Sequence, residues 1–222
     1  MNARVDHLVI VADNLEQGAQ WCEATLGAQP VTGGRHALMG THNRLLAIGS
    51  ERFPDSYLET LAIDPDAPPP ARPRWFAMDD PALRAAVREV PRLVHAVART
   101  TLIEMVRWGL VNCGLNPGDL VAAQRDTPAG LLKWRITVRD DGAMACGGAL
   151  PTLIEWQGAH PCQRLPPSTV ALRALTLRGL PAQAVGVLKL PAVQSTGRVP
   201  REPALSATFD TSRGAVMLDA WT

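Results

Sequence analysis

The 222-residue chain carries no long run of like charge, and its 22 basic residues stand against 21 acidic ones. Without a basic tail or patch there is no electrostatic footprint for nucleic acid or for an anionic membrane surface. No apolar run approaches the roughly 20 residues that a membrane-spanning helix needs. The N-terminus lacks a basic segment leading into a long apolar one, so no export signal is legible and a cytoplasmic protein is expected. Cys22, Cys113, Cys146 and Cys162 form no CxxC pair, which excludes a readable zinc ribbon or thioredoxin-type redox motif. Phenylalanine and tyrosine are scarce, three and one against six tryptophans. The length suits one domain or two small fused ones with a substantial core.

Against these absences, two residue types recur in matching places. His7 lies in the apolar run 5–11 and His95 in 93–98, while Glu59 interrupts 57–63 and Glu155 interrupts 153–156. Ionisable groups inside apolar strands are costly unless paired or bound to a cation. Four of them arranged as a repeat predict one shared site.

The surroundings repeat as well. After the first strand, Asp13 and Glu16 resemble a capping box, and Leu15, Ala19, Cys22 and Leu26 form a helical stripe ended by Gly27. Strands are expected near 28–32, 43–49 and 56–63, with Gly33-Gly34 as a turn. After the strand at 92–98, Thr101 and Glu104 form a second capping-box pattern, and His95 precedes Glu104 by the same count that separates His7 from Glu16. A helix and strands near 119–125, 131–138 and 152–157 complete the second unit. The proline-rich stretch 65–73 reads as a stiff exposed connector, followed by a short helix at about 80–89. Beyond residue 168 the same order of elements recurs in degraded form, without histidine.

A βαβββ unit with histidine on its first strand and glutamate on its last resembles the vicinal oxygen chelate superfamily, which includes glyoxalase I, extradiol dioxygenases and bleomycin-resistance-type binding proteins. The run from Asp6 to Leu15 looks like its opening. Gly33-Gly34-Arg35-His36, Gly40-Thr41-His42-Asn43-Arg44-Leu45 and Tyr57-Leu58-Glu59 look like its glyoxalase-like domain branch. The resemblance implies an α+β fold of repeated βαβββ modules with mixed, curled sheets around a central cleft. The modules would span 1–64 and 91–160, joined by a linker with a short helix at 65–90, and 168–222 would form a partial third module packed on the pair.

The resemblance also implies a divalent metal, with His7, Glu59, His95 and Glu155 as ligands. Two imidazoles and two carboxylates suit zinc, nickel, iron or manganese. Such an ion would chelate a small vicinal-oxygen substrate and polarise it for isomerase, lyase or ring-cleaving chemistry. Glu155 or Glu59 would be the base, and His42 a proton-transfer group. Arg35 and His36 would contact the substrate beside Gly33-Gly34, Asn43 would orient His42, and Trp134 and Trp156 would offer stacking surfaces. The competing expectation is a metal-free small-molecule binding protein on the same fold. A homodimer is compatible with either.

Overall fold

The computed structural model describes residues 3–127 and 130–221. Strand β1 (Arg4–Val11) leads into α1 (Leu15–Leu26), then β2 (Val31–His36), β3 (Thr41–Ala47) and β4 (Tyr57–Ile63). After α2 (Pro81–Glu89), the order repeats as β5 (Arg92–Arg99), α3 (Ile103–Asn112), β6 (Asp119–Thr127), β7 (Gly130–Val138) and β8 (Thr152–Trp156). The eight strands form one sheet ordered β2-β3-β4-β1-β5-β8-β7-β6. Each half is the mirror sequence of the other, and the first strands β1 and β5 meet antiparallel at the centre. The α+β architecture of repeated modules is thus present, with β4 and β8 each parallel to the first strand of its own module.

The edges β2 and β6 also approach each other: Arg125 on β6 reaches Asn43 on β3, 3.2 Å away. The sheet therefore curls around a hollow. Val9 and Val11 face this hollow with Leu61, Trp134, Ile136 and Ile154. Leu8 and Ile10, on the other face of β1, pack with Cys22 and Leu26 of α1 and with Leu58. Both faces of β1 are buried, which explains its near-continuous apolar sequence.

The last segment contains β9 (Ala171–Arg178), α4 (Ala182–Leu188), β10 (Val193–Thr196), β11 (Leu205–Thr211) and β12 (Gly214–Asp219). It repeats the order strand, helix, three strands, but its sheet runs β10-β9-β11-β12. That strand order differs from the 2-3-4-1 pattern of the modules. Leu172, Leu175, Leu177 and Phe209 cover the Leu8 face of the large sheet, and α4 supplies Ala184 and Leu188 to the core beneath α3. Among the described residues no helix is long and apolar enough to cross a membrane.

Three local expectations are corrected. Asn14, not Asp13, caps α1: its side chain accepts from the Gln17 amide at 2.9 Å. Leu102 stands at the N-cap of α3 without a side-chain bond, while the Thr100 hydroxyl accepts from the Leu102 amide. Gly33-Gly34 lie inside β2 at a register shift, not in a turn. A Cβ on Gly33 would sit 2.0 Å from the Asn43 side-chain oxygen, so glycine is needed for close approach and not for chain reversal.

Candidate active site

The chamber under the curled sheet gathers side chains from the first module. A register shift in β1 between Val5 and His7 leaves Asp6 as an extra residue opposite β5. The bulge turns Asp6 and His7 to the same side, a common way to re-aim a side chain at a site. His7 Nδ1 then lies 2.7 Å from Asp6 Oδ1, and its ring stacks on Tyr57 at 4.6 Å. His7 Nε2 faces Glu59 Oε2 at 3.5 Å. All three side chains are buried.

Glu59 is held from the other side by Asn43, whose amide nitrogen donates to Oε1. Asn43 is itself fixed: its oxygen accepts from the Gly34 amide at 2.7 Å and from Arg125 at 3.2 Å. His36 Nε2 stands 3.9 Å from Glu59 Oε1, and its Nδ1 is 3.2 Å from the Thr41 hydroxyl. Burial pushes His36 down to about 4; the Glu59 charge opposes this and Arg125 adds to it. Burial raises the Tyr57 hydroxyl well above its ordinary 10, reinforced by the charges of Asp6 and Glu59.

Asp6 is fully buried and carries three donors. Trp156 Nε1 donates to Oδ2 at 3.0 Å, and His160 Nε2 lies 2.9 Å from the same oxygen. Burial alone would raise this carboxyl. Hydrogen bonds from His160 and His7, with their charges, outweigh it and hold Asp6 well below the usual carboxylate range.

Trp75 and Phe76 close the chamber. They sit in the loop between β4 and α2, stacked on each other at 5.4 Å, with Trp75 edge-on to His36. The remaining space beside His7 and Glu59 is about 30 Å³, enough for a water or two. Phe76 and Ala77 both have left-handed backbones, φ 56° and 54°, which strain non-glycine residues.

The second module presents a different pair. Val9 pairs with Glu59 in the first module, and Val97, two residues after His95 as Val9 is after His7, pairs with Thr152. Thr152 is therefore the positional counterpart of Glu59. His95 Nε2 accepts from the Thr152 amide at 3.1 Å and lies 3.1 Å from its hydroxyl. Phe76 packs on His95 at 5.1 Å, and His95 lines a separate cavity from His7. Burial, with the nearby His7 charge adding to it, pushes His95 down to about 3.

Glu155 faces the other side of the sheet. It binds Arg135 at 2.6 and 2.9 Å and accepts from the Ile103 amide at 3.5 Å, so it serves the N-terminus of α3. The four expected ligands do not converge. Among the described residues no cluster of three His, Cys, Asp or Glu side chains is placed to hold a metal. The donor set does not fit the divalent centre that the resemblance implies.

Of the expected substrate contacts, His36, Asn43, Trp134 and Trp156 line the chamber. Arg35 does not: it pairs with Asp64 at 3.0 Å and Asp66 at 2.9 Å on the outer face. His42 also points outward, 4.0 Å from Asp64, because β3 alternates and Asn43 takes the inward position. Sequence reasoning missed Asp6, Tyr57, Trp75, Phe76, Arg125 and His160. Only Asp6 left a trace, as a carboxylate beside the histidine.

A family model and one solved structure agree with this fold. The family model described as "Glyoxalase-like domain" matches residues 5–188. A crystal structure of a hypothetical protein from Staphylococcus aureus is 14% identical with a TM-score of 0.57, covering 99% of this chain and 86% of that one. Methylmalonyl-CoA epimerase from Streptomyces coelicolor, solved with 2-nitronate-propionyl-CoA, is 16% identical with a TM-score of 0.46, covering 72% and 99%. The epimerase from Mycobacterium tuberculosis is 14% identical with a TM-score of 0.40, covering 70% and 87%. No curated protein sequence matches. With nearly its whole length matched and two βαβββ modules curled around one cleft, the chain belongs to the glyoxalase-like domain family of the vicinal oxygen chelate fold.

Proposed function

We propose that this chain is an isomerase- or lyase-type enzyme that moves a proton on a small oxygenated molecule in the first module's chamber. The observation that carries the reading is the line Asp6, His7, Glu59. Asp6 requires a proton on His7 Nδ1, so the 3.5 Å gap between His7 Nε2 and Glu59 Oε2 is satisfied by a single transferable proton. With the shared proton on His7 Nε2 and Glu59 ionised, Glu59 would remove a proton from a carbon next to a carbonyl. His7 would deliver its Nε2 proton to the carbonyl oxygen, giving a neutral enediol, and reversal on the other carbon would complete the isomerisation. Asn43 keeps the Glu59 carboxylate aimed, and the aromatic walls Trp134 and Trp156 exclude water and hold the carbon skeleton. Entry requires Trp75 and Phe76 to withdraw, since about 30 Å³ admits no organic substrate.

The test is deuterium uptake from D2O into a panel of 2-hydroxy aldehydes, 2-hydroxy ketones and 2-oxo acids, followed by proton NMR. One class should exchange with the wild-type protein, with and without a chelator, and Glu59→Gln should slow it by about 10²- to 10⁴-fold. Exchange lost on chelation would overturn the reading. Saturable binding without exchange, unaffected by Glu59→Gln, would favour a metal-free binding protein, the second reading that the aromatic walls support.

A further inference from the structure

The structure assigns His160 as a positioning residue that fixes the tautomer of His7 through Asp6, an inference that rests on the proton-transfer reading of His7 and Glu59. His160 stands in the loop after β8, at the head of a short 3-10 turn, Pro161–Gln163. Its Nδ1 accepts from the Cys162 amide at 3.2 Å. A nitrogen that accepts from a backbone N–H carries no proton of its own, so the His160 proton must be on Nε2. That nitrogen lies 2.9 Å from Asp6 Oδ2, and the carboxylate, an acceptor only, takes its proton. Arg99 Nη1 stands farther off, 3.3 Å from the same nitrogen and 3.9 Å from the same oxygen, where its charge also faces Asp6.

The consequence passes along Asp6. Its Oδ2 is taken by two donors, His160 and Trp156. Only Oδ1 faces His7, at 2.7 Å, and an acceptor-only carboxylate demands Nδ1–H there. His7 Nε2 is then left to share a proton with Glu59. One backbone amide, that of Cys162, thus sets the proton positions of two histidines in turn.

His160 also seals Asp6 from water. With Trp156 and Arg99 it lines an outer cavity of about 440 Å³, on the far side of Asp6 from Glu59. Remove the imidazole and water from that cavity reaches Oδ2. Water is a donor without fixed direction, so the carboxylate is free to turn and His7 is free to change tautomer.

The experiment reads the histidine nitrogens directly, by two-bond proton–nitrogen NMR of the full chain, alongside the deuterium-exchange assay. In the wild type, observed with His7 neutral and the shared proton on Glu59, His7 and His160 should show opposite tautomers: Nδ1–H for His7 and Nε2–H for His160. In His160→Ala, His7 should become a mixture of both forms, with kcat for exchange reduced about 10- to 100-fold and KM unchanged. His160→Gln, whose amide nitrogen reaches the Nε2 position, should restore the His7 signal and most of kcat. A single unchanged His7 tautomer in folded His160→Ala overturns the inference, as does a His160→Gln chain that matches His160→Ala. If no substrate exchanges at all, the proton-transfer reading fails while the tautomer signals still decide this one.

Discussion

The two modules share element order, sheet order and a buried histidine on the first strand, yet only one of them sets that histidine against a carboxylate. In the first, His7 meets a carboxylate that is itself held by Asn43. In the second, His95 meets a threonine, accepts its amide proton and lies beneath Phe76. The same position on the same framework holds a histidine–carboxylate pair in one copy and a histidine–threonine pair in the other. The framework presents the geometry twice, and Glu59 against Thr152 is the difference that puts a carboxylate in one copy and a hydroxyl in the other.

The comparison can be broken most forcefully through acid. His95 is held near 3 and His36 near 4, against an ordinary 6.5. Their folded values are depressed, so the unfolded chain binds more protons below pH 6.5, and stability falls as the pH drops from 6.5 towards those values. The slope is about 1.4 kcal/mol per pH unit for each histidine. Urea unfolding between pH 7 and 4 should show this loss, and His95→Gln should flatten the acid limb without removing deuterium exchange. An unchanged limb in His95→Gln would mean that the second histidine is not a buried neutral group.

A smaller effect is expected at Asn43, which has no counterpart of the same role around His95 among the described residues. Asn43→Ala leaves the Gly34 amide and one face of Glu59 without a partner, for a loss of about 1–3 kcal/mol. The same variant should slow exchange, since Glu59 loses its aim. The smallest effect belongs to Glu155. Glu155→Gln breaks a partly exposed pair with Arg135 on the helix side, so a change of about 1 kcal/mol or less in the urea midpoint is expected. Exchange should be untouched, and a strong loss would return Glu155 to the site.

The repeat, the α+β class and the family were legible because they rest on period and order. His7, Glu59, His36, Asn43, Trp134 and Trp156 sit within or beside strands that apolar runs and turn residues mark out in the sequence. The second half of the site was misjudged for a physical reason. Its first strand aligned correctly, because His95 precedes the first residue of α3 by the same count as His7 precedes that of α1. The last strand has no such anchor: a glutamate in an apolar run looked equivalent to Glu59, while strand pairing puts Thr152 there and turns Glu155 to α3. A three-residue offset in an alternating strand reverses the face. Asp6 was hidden by a bulge, and Trp75, Phe76 and His160 reach the site from loops, where no periodicity announces them.

The Trp75–Phe76 turn has a thermodynamic consequence for any ligand. On the proposed reading, these rings fill the space that a ligand would take, so the chain would carry its own competitor, permanently present and at fixed stoichiometry. A measured dissociation constant is then the intrinsic one divided by the fraction of molecules with the turn withdrawn. Every 1.4 kcal/mol that favours the filled state weakens apparent affinity about tenfold. The left-handed backbones at Phe76 and Ala77 act in the opposite sense, each adding about 1–2 kcal/mol of strain to the filled state. On the proposed reading, the turn is a loaded spring whose strain offsets part of the cost of opening the chamber.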